Sequence, residues 1–168
     1  MNGAGTTRLF TALWPAPAAR DAAARWQATA DWPTGTALVA PERLHVTLHF
    51  IGPVPNERLP AIADALSRVR CDAFSLRFGR AAAWGRGLVV GLPEATPPAL
   101  AALHAAQAEV LHGLGLHVEH RPFRPHLTLA RDAAGATLPD AAFDWPAPAW
   151  RLVASQNGYR ALAMVPLA

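Results

Sequence analysis

The sequence predicts an α+β fold, bilobal and pseudo-two-fold, with two antiparallel sheets flanking a central cleft and helices on the outside. Three observations carry that expectation. Strand-like and helix-like stretches interleave without a regular βαβ rhythm or a glycine-rich phosphate loop, which disfavours a doubly wound parallel sheet. The run His45-Val46-Thr47-Leu48 returns as His126-Leu127-Thr128-Leu129, about half the chain away. Apolar residues make up 52% of the 168 and charged residues 16%, the balance of a folded globular protein with a real core. Residues 1–168 therefore read as a single domain of two similar lobes.

The elements follow in order. Residues 7–14 are rich in β-favouring side chains and stop at Pro15 and Pro17, which predicts a strand. Residues 18–30 place Ala22, Trp26 and Thr29 on one helical stripe. Residues 44–51 alternate as a strand that Gly52-Pro53 should end, and Leu59, Ile62, Leu66 and Val69 recur at helical spacing. Residues 74–78 and 87–92 form two further strands across the Gly85-Arg86-Gly87 turn. Pro97-Pro98 opens a third helix, with Leu100, Leu103, Val110, Leu111 and Leu114 on one face and Gly113 and Gly115 at its end. Residues 125–130, 150–155 and 159–165 complete the strands, the last two joined by an Asn157-Gly158 turn.

The pI near 10.4 suggests a nucleic-acid binder, but the net charge is only +3. All fifteen basic residues are arginines, whose high intrinsic pKa inflates the pI. They form no block, so a broad duplex footprint is disfavoured, while a phosphate ligand is permitted. Cys71 is the single cysteine, which excludes an internal disulfide and a multi-cysteine zinc site. No apolar run reaches bilayer-spanning length, and residues 1–7 are no secretory signal. A cytoplasmic, membrane-free monomer is expected.

The repeated motif carries the chemistry. In a strand, residues two apart share a face, so His45 with Thr47 and His126 with Thr128 face a common cleft while Val46, Leu48, Leu127 and Leu129 turn to the core. One neutral imidazole accepts a proton while a charged one donates, and threonine hydroxyls donate to phosphate oxygens. Such a pair suits in-line displacement at phosphorus without a metal. A purely structural duplication is the alternative, but histidine and threonine are poor choices for a core face.

These motifs resemble the two-histidine (2H) phosphoesterase superfamily. Arg8-Leu9-Phe10, residues 44–52, Arg121-Pro122-Phe123-Arg124-Pro125-His126 and Asp132 after Arg131 sharpen the likeness to the bacterial and archaeal RNA 2′,3′-cyclic phosphodiesterases, formerly called 2′-5′ RNA ligases. The tail beyond Asn157 departs from the family's more basic ending. The resemblance implies no cofactor, no metal, and RNA ends bearing a 2′,3′-cyclic phosphate as partners, opened to a 2′-phosphate. It implies His45 as proton donor, His126 as proton acceptor, Thr47 and Thr128 as the phosphate clamp, and Arg131 as a further phosphate ligand. The motifs themselves do not say which histidine is acid. Another 2H activity, on 2′-5′ linked oligonucleotides or a small cyclic phosphate, uses the same residues, and a non-catalytic RNA-end binder is the alternative outside enzymes.

Phe50 stands five residues after His45, as Arg131 does after His126. An odd offset turns an ideal strand residue away from the cleft, so both need a bend or a strand end to reach a ligand. Core packing is the favoured reading for Phe50, with base stacking as its functional role. His49 is placed on the cleft rim. His104, His112, His117 and His120 read as surface or locally bonded, Arg86 as solvent-exposed, and Trp14, Trp84 and Trp150 as core.

Overall fold

The computed structural model describes residues 5–168. Its elements are β1 (Thr6–Leu13), α1 (Pro17–Gln27), β2 (Ala37–Leu38), β3 (Val46–Pro55), α2 (Leu59–Ser67), β4 (Ser75–Trp84), β5 (Leu88–Pro93), α3 (Pro98–Gly113), β6 (Leu127–Arg131), β7 (Phe143–Pro146), β8 (Ala149–Ser155) and β9 (Tyr159–Pro166). The strands build two sheets, ordered β3-β1-β8-β9 and β2-β6-β5-β4-β7. Every pairing is antiparallel, as the sequence predicts. Asn157 and Gly158 both take positive φ, 54° and 114°, the backbone a tight β8–β9 hairpin requires.

Several boundaries differ from expectation, each for a physical reason. Strand β3 runs through Gly52-Pro53 to Pro55, because β1 keeps pairing with it as far as Thr6↔Pro55. Its edge position spares Pro53 from having to donate to a further neighbour. On α1 the buried stripe is Ala19, Ala23, Trp26 and Gln27, rotated from the expected one, and Thr29 lies outside the helix with its hydroxyl on the Trp26 carbonyl at 2.7 Å. Strands β2 and β7 are too short for periodicity to reveal, with two and four residues.

The feature that positions the cleft is a pair of matched β-bulges. In the β1–β3 ladder Thr11 pairs with His49 and Ala12 with Thr47, so Leu48 has no partner. In the β5–β6 ladder Val89 pairs with Ala130 and Val90 with Thr128, so Leu129 has none. Each bulge falls on the leucine of a His-x-Thr-Leu run. It puts two consecutive side chains inward, Leu48 with His49 and Leu129 with Ala130, all buried. The next residue, Phe50 or Arg131, then swings to the face of the preceding threonine and is exposed. Both leucines join the main core with Leu9, Phe78, Leu100 and Trp145. Truncating either to alanine would cost about 2–5 kcal/mol.

Buried polar side chains brace each bulge. At β6, Gln27 Nε2 donates to the Leu129 carbonyl at 2.7 Å and to the Val39 carbonyl at 2.9 Å. At β3, Thr11 Oγ1 accepts the His49 backbone N–H at 3.1 Å and donates to Gln107 Oε1 at 2.8 Å. Burying these groups is offset by those hydrogen bonds, although Gln107 Nε2 is buried without a partner. Among the described residues no helix is long and apolar enough to cross a membrane.

Candidate active site

His45 and His126 sit immediately before β3 and β6. Nδ1 of His45 lies 2.6 Å from the Arg43 carbonyl, and Nδ1 of His126 lies 2.8 Å from the Arg124 carbonyl. A carbonyl only accepts, so in both rings Nδ1 carries the hydrogen. Nε2 is left as the nitrogen available to exchange a proton with a ligand. The anchor is the same in both halves, a main-chain oxygen two residues back.

Both histidines and both threonines, Thr47 and Thr128, line one cleft of about 1060 Å³. Phe50 and Arg131 line it too, carried there by the bulges. The bend that the odd offset demanded is therefore present in both strands. Core packing for Phe50 is corrected: its ring is 58% exposed and stacks on Phe10 at 5.9 Å between centroids. His49 lines the cleft as expected, but from a buried position and not as an exposed rim residue. The bulge turns its ring under α3, where it is 3% exposed and Nε2 donates to the His104 carbonyl at 2.8 Å.

The two imidazoles have different walls. His45 stacks on Trp14 at 4.6 Å and lies beside Phe10 at 5.3 Å and Tyr159 at 5.6 Å. Near His126 the aromatic neighbour is Trp84, at 4.7 Å. Core placement thus holds for Trp150, fully buried, but not for Trp14 and Trp84. His104 is no surface histidine either: it is sandwiched between His49 at 3.9 Å and Phe123 at 4.0 Å.

Electrostatics sharpen the contrast. Burial holds His45 below the ordinary histidine pKa; the Arg43 carbonyl opposes this, and the positive charges of His126 and Arg131 add to it. An anion between them would reverse the sign of that field and draw a proton onto His45. Four arginines, Arg43, Arg121, Arg124 and Arg131, line the cleft with one acid, Glu119, which pairs with Arg121. Among the described residues Arg43, Arg124 and Arg131 make no ion pair. A protein of net charge +3 thus concentrates unpaired positive charge in its cleft. Among the described residues no three histidine, cysteine or acidic side chains gather as metal ligands would.

Sequence reasoning missed Arg43 and Arg124, although the signal was available: they stand two residues before the two histidines, so the repeat is Arg-x-His-x-Thr-Leu. It also missed Thr11, Gln27 and Gln107, polar residues buried in apolar elements, which pattern alone does not separate from surface ones.

A duplicated α+β frame that presents two His-x-Thr segments to one basic cleft is the build of a two-histidine protein. The chain belongs to the 2′-5′ RNA ligase superfamily, whose family model matches residues 14–155. It is 36% identical to the RNA 2′,3′-cyclic phosphodiesterase of Escherichia coli over 143 residues, covering 82% of this chain and 80% of that one. It is 31% identical to the Thermus thermophilus protein of the same name over 170 residues, covering 89% and 82%. The crystal structure of E. coli LigT in apo form superposes with a TM-score of 0.87 at 30% identity, covering 98% of this chain and 99% of that one.

Proposed function

We propose that this protein hydrolyses RNA 2′,3′-cyclic phosphate ends to 2′-phosphates, with His45 as proton donor and His126 as proton acceptor. The observation that carries the reading is the pair of equally anchored imidazoles lining one cleft with two threonines. The cyclic phosphate sits between them. Neutral Nε2 of His126 takes a proton from water as its oxygen attacks phosphorus, while protonated Nε2 of His45 gives one to O3′ as the P–O3′ bond breaks. The product is a 2′-phosphate with a free 3′-hydroxyl, and proton exchange with solvent resets both rings.

Thr47 and Thr128 donate to the non-bridging oxygens, and Arg131 adds a charged donor, so the developing negative charge meets fixed partners. Phe50 offers an exposed ring face to a base. One chain supplies both motifs, so a monomer is the working unit, and the lone free Cys71 suits a reducing cytoplasm. No step calls for a metal.

The test is product analysis on an RNA fragment with a 2′,3′-cyclic phosphate end, in excess EDTA. A 2′-phosphate product is expected. A 3′-phosphate product, or loss of activity on chelation, would overturn the proposal.

A further inference from the structure

The duplicated arginines carry more than an anchoring carbonyl. The Arg43 guanidinium lies over the Tyr159 ring at 5.0 Å, and that ring packs edge-on against His45 at 5.6 Å. The Arg124 guanidinium lies over Trp84 at 4.7 Å, and Trp84 packs on His126 at 4.7 Å. Each half therefore repeats one order outward from the reacting centre: imidazole, aromatic ring, guanidinium. Neither arginine has an acidic partner among the described residues, and both line the cleft. An aromatic face holds a guanidinium in place without neutralising it, which leaves its N–H fork free for a phosphate. The cleft, at about 1060 Å³, exceeds the usual range of a drug-sized ligand's pocket, about 300–1,000 Å³.

We infer that Arg43 and Arg124 are specificity-determining residues that take the phosphates flanking the reacting one. The inference rests on the cyclic phosphodiesterase reading, and the assignment of sides follows from its chemistry. In-line displacement puts the leaving O3′, and with it the terminal ribose, on the His45 side. The chain upstream of that ribose continues outward past Tyr159, so Arg43 meets the next phosphodiester. Water enters on the His126 side, where no RNA lies during hydrolysis. Arg124 there waits for a phosphate only when a second nucleotide takes the place of water. The ligand is thus an oligonucleotide end with at least one phosphodiester before its cyclic phosphate, in preference to a lone cyclic mononucleotide.

The experiment compares kcat/KM for a nucleoside 2′,3′-cyclic phosphate with that for a dinucleotide ending in the same group. The readout is the dinucleotide-to-mononucleotide ratio. For the parent it should be roughly tenfold or more, the worth of one charge-assisted hydrogen bond. It should shrink with added salt, since a phosphate is being neutralised. Arg43→Ala should bring the ratio close to one, Arg43→Lys should retain part of it, and Arg124→Ala should leave the ratio as in the parent.

A parent ratio near one would overturn the inference, as would an Arg43→Ala variant that slows both substrates equally, the mark of a merely structural prop for Tyr159. Collapse of the ratio in Arg124→Ala would overturn the assignment of sides. Should the parent open neither substrate, the cyclic phosphodiesterase reading itself fails, and this inference with it.

Discussion

His45 and His126 are held alike, each through Nδ1 to the carbonyl of an arginine two residues back, and each opens a strand with a bulge at the same place. Their neighbours are not alike. Trp14, Phe10 and Tyr159 enclose His45, whereas Trp84 flanks His126. At the bulge exits stand Phe50 in one half and Arg131 in the other, and at the inward bulge positions His49 and Ala130. The main chain repeats because it must aim two imidazoles at one centre. The divergence of the side chains around it fits the proposed mechanism, in which an acid and a base need different surroundings, and a nucleotide has a flat apolar base on one side of its phosphate and charge on the other.

Replacing the shared parts should hurt both halves about equally. Thr47→Ala and Thr128→Ala should each lose about 10²–10³ in kcat, the usual worth of one pre-organised donor to a developing oxyanion. Folded variants with parent-like turnover would show that the hydroxyls do not hold the phosphate. The divergent parts should separate the halves. Arg131→Ala should lose roughly tenfold or more in kcat/KM and weaken the salt dependence. Phe50→Ala should raise KM about tenfold with the salt dependence kept, as expected for a lost stacking face. Identical salt responses in the two variants would erase the distinction.

A smaller effect concerns stability at low pH. Burial first, then the charge of His49, lowers His104 to about 4, and burial lowers His49 too. Both rings are neutral when folded but would take a proton near 6.5 when unfolded. The stability they contribute is complete above about pH 6.5 and is lost as the pH falls toward 4. His104→Phe keeps a ring between His49 and Phe123 and removes one titrating group. Its melting temperature should fall less than the parent's between pH 7 and 4. An equal fall would place the acid sensitivity elsewhere. His117 is exposed and distinct from this pair, and its replacement serves as the control.

The long elements and the motif pair were legible because both rest on local pattern: period two, period 3.6, and a tetrapeptide that occurs twice. Two kinds of information were not. A bulge leaves no mark in a run such as His49-Phe50 or Ala130-Arg131, so alternation placed Phe50 in the core, whereas the ladder brings it to the cleft, and gave no sign that His49 would be buried. Partners distant in sequence were equally hidden. Nothing near Trp14 or Trp84 says that each faces a histidine 31 or 42 positions on, and nothing near Gln27 says that it bonds Leu129 across 102 positions. The arginine pair was visible but unread, since arginine before a strand is ordinarily a surface residue.

The dependence of kcat/KM on pH, in EDTA, for the parent and for His45→Ala and His126→Ala tests the pairing of the two imidazoles most directly. The parent should give a bell whose limbs belong to the coupled pair, and each variant should lose roughly 10²–10⁴ in rate. His45→Ala lacks the acid, so its residual rate should rise with pH and then level off. His126→Ala lacks the base, so its residual rate should be level at low pH and then fall. In kcat, one limb of the bell should move to higher pH than in kcat/KM, because the bound phosphate raises the pKa that burial had lowered at His45. Variants that keep both limbs of the bell, or that turn over at the parent's rate, would contradict a two-histidine mechanism in this cleft.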